Sequence, residues 1–272
     1  YNHLDMLDGL ENLTKLTALY CNNNQLSGTL HVENLTKLTD LYCSNNQLSG
    51  TLDVGNLTDL QYLECSNNQL TALDVSSPTN LLEYGRFSCS DNPFQSFKTS
   101  DGTLTINAGT HGIISVDSYK WDTKMITLVP KPNTGYTFGN WTVLPSGITP
   151  QDDNGLIFEL NGDQEVAATF IGTDATLKAL SLSAGTLTPT FDPATTAYTA
   201  NVDNSVTNVT ITAEANDTKA KVAGDGVHDL KVGDNSFAVT VTAEDGTPKS
   251  YTITITRAAA ATTGGSSGGS PS

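Results

Sequence analysis

LTALYCNNNQL from Leu16, LTDLYCSNNQL from Leu38 and LQYLECSNNQL from Leu60 start 22 residues apart, and a fourth segment, YGRFSCSDNPF, starts 24 residues further on at Tyr84. Each follows LxxLxLxxNxL, with Cys in place of the third apolar residue. The preceding NLTKL, NLTKL, NLTDL and NLLEY, anchored on Leu13, Leu35, Leu57 and Leu81, keep the register. A fixed period of this length means that each repeat is one small unit that buries its apolar side only against its neighbours. Leu19 and Cys21, two apart, face the same side of a short strand, so successive strands stack in parallel over a common core.

Asn24, Asn46, Asn68 and Asn92 recur at the ninth position. A buried amide there can bond the backbone of the turn that leaves the strand, whose polar groups would otherwise go unpaired. The segment over residues 1–97 resembles the leucine-rich-repeat family, and the 22-residue period resembles the bacterial internalin type. Asn2 and Leu4 lie one period before Asn24 and Leu26. The chain therefore opens inside a repeat, and a longer natural protein with an upstream cap is expected.

After Phe97 the period stops, and short β-type runs begin at Thr103, Gly112, Met125, Tyr136, Leu156 and Glu165, separated by Gly, Pro, Asn and Asp. VPKPNTGYTFGNW from Val129 and VAATF from Val166 are similar to the divergent internalin B-repeat family, a β-grasp-like unit, through Gly135, Tyr136, Phe138, Trp141 and Phe170. Those aromatics read as the core of a small domain over 98–172. From Asp174 the runs TLKALSL, TAYTANV, VTNVTITA, NSFAVTVTA and SYTITITR point to a sandwich of about seven strands. LSLSAGTLTPTFDPATTAYTANV from Leu180 and VTAEDGTPKSYTITITR, ending at Arg257, resemble the bacterial cadherin-like β-sandwich family, which supplies spacers. Residues 173–257 form this domain, and 258–272 read as a flexible Gly/Ser/Thr linker. The fold expected is mainly β: a leucine-rich-repeat solenoid, a β-grasp-like domain and an Ig-like or cadherin-like sandwich, with three separate cores and an early-melting open repeat end.

Thirteen Lys and Arg against 29 Asp and Glu leave a formal charge of −16, which repels the phosphates a nucleic-acid binder must neutralise and disfavours anionic membranes. Apolar runs such as Met125–Val129 fall short of the roughly 20 residues of a membrane helix. The chain begins at Tyr1 with no signal-like stretch, so any export signal lies outside it. Low Lys and abundant Thr, Ser, Asn and Gly suit a secreted, modular chain, expected outside the cell or on its surface.

His3, His31, His111 and His228 stand in unrelated contexts, with no HExxH, Walker loop or GxSxG elbow. No enzymatic activity, metal or cofactor is expected. Asp152, Asp153, Asn154 and Gly155 lack the frame of a calcium loop and read as a tight turn. Asn-x-Thr triplets at Asn12, Asn34, Asn56, Asn140, Asn208 and Asn216 are formal glycosylation acceptors; the first three recur because the repeat does. Cys21, Cys43, Cys65 and Cys89 form one inward column. Strands about 4.8 Å apart hold in-register Cβ atoms farther apart than the roughly 3.8 Å of a relaxed disulfide, so four reduced, buried thiols are expected.

The residues between the inward ones face the concave, solvent side. Those columns are Ala18, Asp40, Tyr62 and Arg86; Tyr20, Tyr42, Glu64 and Ser88; and Asn22, Ser44, Ser66 and Ser90. Tyrosines on an exposed sheet offer apolar faces and polar tips to a ligand, although neighbouring tyrosines can simply stack. Tyr20, Tyr42, Tyr62, Asp40, Glu64 and Arg86 are the candidate ligand contacts, for a protein or glycan on a host or neighbouring cell. The leading expectation is a monomeric surface interaction protein. Alternatives are an accessory region of a larger exported enzyme, for instance a carbohydrate-active one, or a stalk without a ligand.

Overall fold

The computed structural model describes residues 7, 9–77, 81 and 86–261. The expectations placed on Asn2, Leu4, His3, Tyr84 and the tail beyond 261 lie outside these residues. The chain divides into two compact units, residues 1–171 and 172–272.

In the first unit the repeats carry two columns of strands. One is the expected parallel sheet of β1 (Ala18–Tyr20), β3 (Asp40–Tyr42), β5 (Tyr62–Glu64) and β7 (Arg86–Ser88), each in register with the next. Leu41, Leu63, Cys43 and Cys65 point inward, and none has any solvent exposure. The second column, β2 (Ser27–Gly28), β4 (Gln47–Asp53), β6 (Gln69–Val75) and β8 (Ser96–Thr99), was not expected from the sequence. Its alternation is obscured by an extra residue in QLSGTLDV relative to QLTALDV. The β4–β6 register slips between Gly50 and Thr51, and Gly50 adopts φ 73°, a left-handed value that glycine takes without strain.

The ninth-position asparagines do what the repeat requires of them. Asn68 Nδ2 donates to the carbonyls of Cys43 and Cys65, both at 3.1 Å, while its Oδ1 accepts from the Leu48 N–H at 3.0 Å. Asn46 bridges Cys21 and Cys43 and accepts from Leu26 in the same way; Asn92 bridges Cys65 and Cys89 and accepts from Leu70. Each amide thus ties its own strand end to the preceding one. One position earlier, Asn23, Asn45, Asn67 and Asp91 all take φ of 57–58°, and Asn45 and Asn67 donate to the asparagine before them.

The repeats do not end in a separate domain. A tight turn joins β8 to β9 (Gly102–Asn107), which pairs with it antiparallel, and the sheet continues through β14 (Gln164–Gly172) to β12 (Tyr136–Val143), seven strands in the order β12-β14-β9-β8-β6-β4-β2. A three-stranded sheet, β10 (Gly112–Lys120), β11 (Met125–Pro132) and β13 (Leu156–Glu159), completes the unit. One apolar core runs unbroken from Leu10 through Phe97 and Leu104 to Ala168. The junction is aromatic: Phe87 and Phe97 of the last repeat meet Trp121 and Tyr119, each at a centroid separation of 5.8 Å, and Phe94 packs on Phe97 from within the repeat. β10 also stands in for a fifth repeat. The Asn23, Asn45 and Asn67 N–H groups each donate to a serine carbonyl of the following repeat, whereas Asp91 N–H donates to the hydroxyl of the fully buried Ser115 at 3.0 Å. An ion pair from Lys131 to Asp91 closes the same end.

Two expectations are corrected here. Among the described residues there are two cores rather than three, because the β8–β9 pairing carries the repeat sheet across position 98. The aromatics Tyr136, Phe138 and Trp141 are half-buried flank rather than core; only Phe170 is buried, and the interior is built from Leu104, Ile106, Ile114, Val116, Ile126, Leu128, Leu156 and Phe158.

The second unit is a sandwich of two sheets, β15 (Leu177–Leu182), β17 (Asn208–Ala215) and β19 (Gly226–Asp229) facing β16 (Ala197–Val202), β21 (Pro248–Arg257), β20 (Gly233–Thr242) and β18 (Lys221–Ala223). The seven strands include all five runs read from the sequence. Tyr198, Tyr251, Val239 and Ile253 form its centre, and the Tyr251 hydroxyl accepts from the Leu177 N–H at 3.0 Å and donates to the Pro193 carbonyl.

Replacing Asn68 by Ala leaves the buried Leu48 N–H without a partner and takes one of two amide donors from each of the Cys43 and Cys65 carbonyls, which Asn46 and Asn92 still reach. At about 1–3 kcal/mol for the one orphaned group, the first unit should lose about that much. Urea unfolding measures this, and a loss below about 1 kcal/mol would contradict the role given to the amide. All four cysteines are free and buried, and burial raises their thiol pKa values, that of Cys21 to about 11. At pH 8 the native protein should resist a thiol reagent that titrates four groups after denaturation; rapid native labelling, or fewer than four in denaturant, would refute this.

Candidate binding face

The sheet β1-β3-β5-β7 presents the candidate residues because strand alternation turns every second side chain away from the core. Parallel register pairs Tyr20 with Tyr42, Tyr42 with Glu64, Asp40 with Tyr62, and Tyr62 with Arg86. Five of the six candidates, Tyr20, Tyr42, Tyr62, Asp40 and Glu64, therefore form one continuous patch, and Arg86 stands at its end on the last repeat strand.

Tyr20 and Tyr42 stack, with ring centroids 4.9 Å apart and planes 14° from parallel. That separation is the spacing of neighbouring strands, so the stack follows from register alone. It does not use up the aromatic surface: Tyr20 remains 65% exposed. Tyr42, Tyr62, Asp40 and Glu64 are half-buried and Arg86 is exposed. Desolvation, and next the negative charge of Asp40, hold the Tyr20 phenol above its ordinary pKa, with Tyr42 and Tyr62 adding to the effect. Asp40 Oδ2 accepts from the Thr39 hydroxyl at 2.6 Å, which fixes the carboxylate.

The third column is a row of small polar groups. Ser66 and Ser88 hydroxyls lie 2.6 Å apart, and Ser90 reaches Ser66 at 3.5 Å and Asp91 at 3.3 Å. The serines were legible as a column; the Lys131 that pairs with Asp91 was not, since it lies 40 residues on in another sheet. A second surface aromatic pair, His111 on Tyr136 at 4.2 Å and 6°, was also missed, because nothing local links the two positions.

The other polar candidates have structural uses. In the segment Asp152–Gly155, Asn154 N–H donates to the Gln151 carbonyl and Gly155 N–H to Asp153 Oδ1, both at 3.0 Å, which makes it the expected turn. His31 pairs with Glu33, and His228 contacts the Gly224 carbonyl and the Phe237 ring. Among the described residues, no three His, Cys, Asp or Glu side chains are grouped as metal ligands would be.

Residues 36–78 match Leucine Rich repeats (2 copies), residues 102–174 the Divergent InlB B-repeat domain, and residues 177–258 the Cadherin-like beta sandwich domain. The chain carries these three kinds of domain, in that order, a combination typical of bacterial surface and adhesion proteins. Over 134 residues, 45% of this chain, it is 31% identical to a protein of Evansella cellulosilytica described as "Putative membrane protein", of which the match spans 20% of the length. Among the described residues, no helix is long and apolar enough to cross a membrane.

Proposed function

We propose that this chain is a non-catalytic binding module of a bacterial cell-surface protein, acting as a monomer that engages a protein or glycan ligand through the concave face of its repeats. The observation that carries this reading is the stacked pair of exposed Tyr20 and half-buried Tyr42 beside Tyr62, Asp40 and Glu64 on an ordered parallel sheet. Large aromatic faces with polar tips, held on rigid strands, lose little conformational freedom when a ligand covers them, and residues of this kind dominate binding energetics. The domain content supports a place at the cell surface. The cadherin-like unit serves as a spacer, whereas the B-repeat, which shares its core with the repeats, is part of the receptor body.

Screening the chain against arrays of cell-surface proteins and glycans tests the reading. Replacing Tyr20, Tyr42 and Tyr62 together by Ser should weaken the recovered interaction at least about tenfold, as expected when an aromatic hot spot is truncated, with the circular dichroism spectrum unchanged. Undiminished binding by the folded variant would place recognition elsewhere on the molecule.

A further inference from the structure

The concave patch has an internal order beyond its list of residues. Asp40 and Tyr42 lie on one strand and Tyr62 and Glu64 on the next, all facing the same way, with Asp40 paired to Tyr62 and Tyr42 to Glu64. Acid and aromatic therefore alternate in both directions. Each carboxylate is flanked by two tyrosines, about 4.8 Å away across the strands and roughly 7 Å along them. Tyr20 extends the aromatic row through its stack on Tyr42.

Among the described residues, neither carboxylate enters an ion pair. The ion pairs among the described residues use Glu33, Asp59, Asp74, Asp91, Asp101, Glu214 and Glu244, but not Asp40 or Glu64. Arg86, diagonal to Glu64, enters no ion pair either. Lys37 is engaged with Asp59, Lys98 with Asp74, and Lys131 with Asp91. Half-buried carboxylates set among tyrosines, in a chain of net charge −16, create a negative potential that no ion pair among the described residues offsets.

An ammonium or guanidinium group satisfies both components at once, through charge on the carboxylate and a cation–π contact on the ring, whereas a neutral sugar, with its C–H face on the ring and a hydroxyl on the carboxylate, leaves the negative charge uncompensated. Resting on the reading of this face as the binding site, we propose that its ligand is a basic segment of a protein, whose lysine or arginine side chains are received between the tyrosines and the carboxylates of Asp40 and Glu64. The charge sign selects the partner and raises the rate of encounter, and the aromatic rows hold the segment once docked.

The full chain is titrated with an end-blocked tetralysine peptide, with the same peptide acetylated on every lysine, and with a neutral chitin tetrasaccharide, at near-physiological salt to screen remote charges. Three variants accompany it: Asp40→Asn with Glu64→Gln, Asp152→Asn with Asp153→Asn as an equal change of charge on an exposed turn, and the triple tyrosine-to-serine variant. The expected result is binding of tetralysine, at least about tenfold weaker in the Asp40/Glu64 variant, nearly unchanged in the Asp152/Asp153 variant, and absent for the acetylated peptide. Amide shift changes should centre on β1, β3 and β5. Equal weakening by the two charge variants, or no binding at about millimolar peptide, overturns the proposal. Tyrosine-dependent binding of the neutral saccharide that survives Asp40→Asn with Glu64→Gln also overturns it, yet leaves the concave face as the binding site. If nothing found to bind this chain depends on the tyrosines or the acids, both readings fall.

Discussion

Stacked parallel strands joined by tight turns leave backbone groups at every strand end facing the interior, and the buried asparagine amide is what satisfies them. Asn46, Asn68 and Asn92 each hold two strand-end carbonyls, one from their own repeat and one from the repeat before, and accept from a leucine N–H where the second strand column begins. An unpaired buried polar group costs about as much as several well-packed methylenes contribute, so an amide that donates to two carbonyls and accepts from one N–H holds the repeats in register. That register then dictates the surface. Because Leu19, Leu41, Leu63 and Phe87 are superimposed, so are the residues between them, and a columnar array of tyrosines and acids becomes possible.

A stack of this kind must be closed, since its last repeat offers apolar side chains and N–H groups with no successor. Here the closing element is the whole B-repeat. β10 supplies Ser115 Oγ where a carbonyl of the next repeat would be, Tyr119 and Trp121 cover Phe87 and Phe97, and β9 extends the second strand column. The family resemblance casts this domain as one unit in a string of spacers. In this chain it is joined to the repeats by backbone pairing and a common core, which fixes the concave face to a rigid base.

The repeat architecture was legible because it rests on local regularities: the 22-residue period, inward residues two apart and a polar residue at a constant offset. The sandwich was legible for a similar reason, its long strands alternating cleanly around Tyr198 and Tyr251. What escaped was non-local or irregular. The second strand column hides behind the slip at Gly50. The end of the period at Phe97 marks the last repeat but not the end of the sheet, because the antiparallel continuation through Leu104 needs no repeat signature. The pairing of Lys131 with Asp91 and the stacking of His111 on Tyr136 join positions that only the tertiary fold brings together. On the concave face, columns and neighbours followed from alternation, whereas the exposure left to a stacked tyrosine and the lack, among the described residues, of an ion pair at Asp40 or Glu64 required the structure.

The central claim, that repeats and B-repeat are one cooperative body, can be tested from inside. Both tryptophans of the chain, Trp121 and Trp141, lie beyond the repeats, whereas Leu63 is fully buried within them. Leu63→Ala should cost about 2–5 kcal/mol. In denaturant unfolding followed by tryptophan fluorescence, the account predicts that this substitution shifts the fluorescence midpoint by as much as it shifts the loss of repeat structure. A tryptophan transition left where it was, while the repeats unfold earlier, would show two independent domains and contradict it.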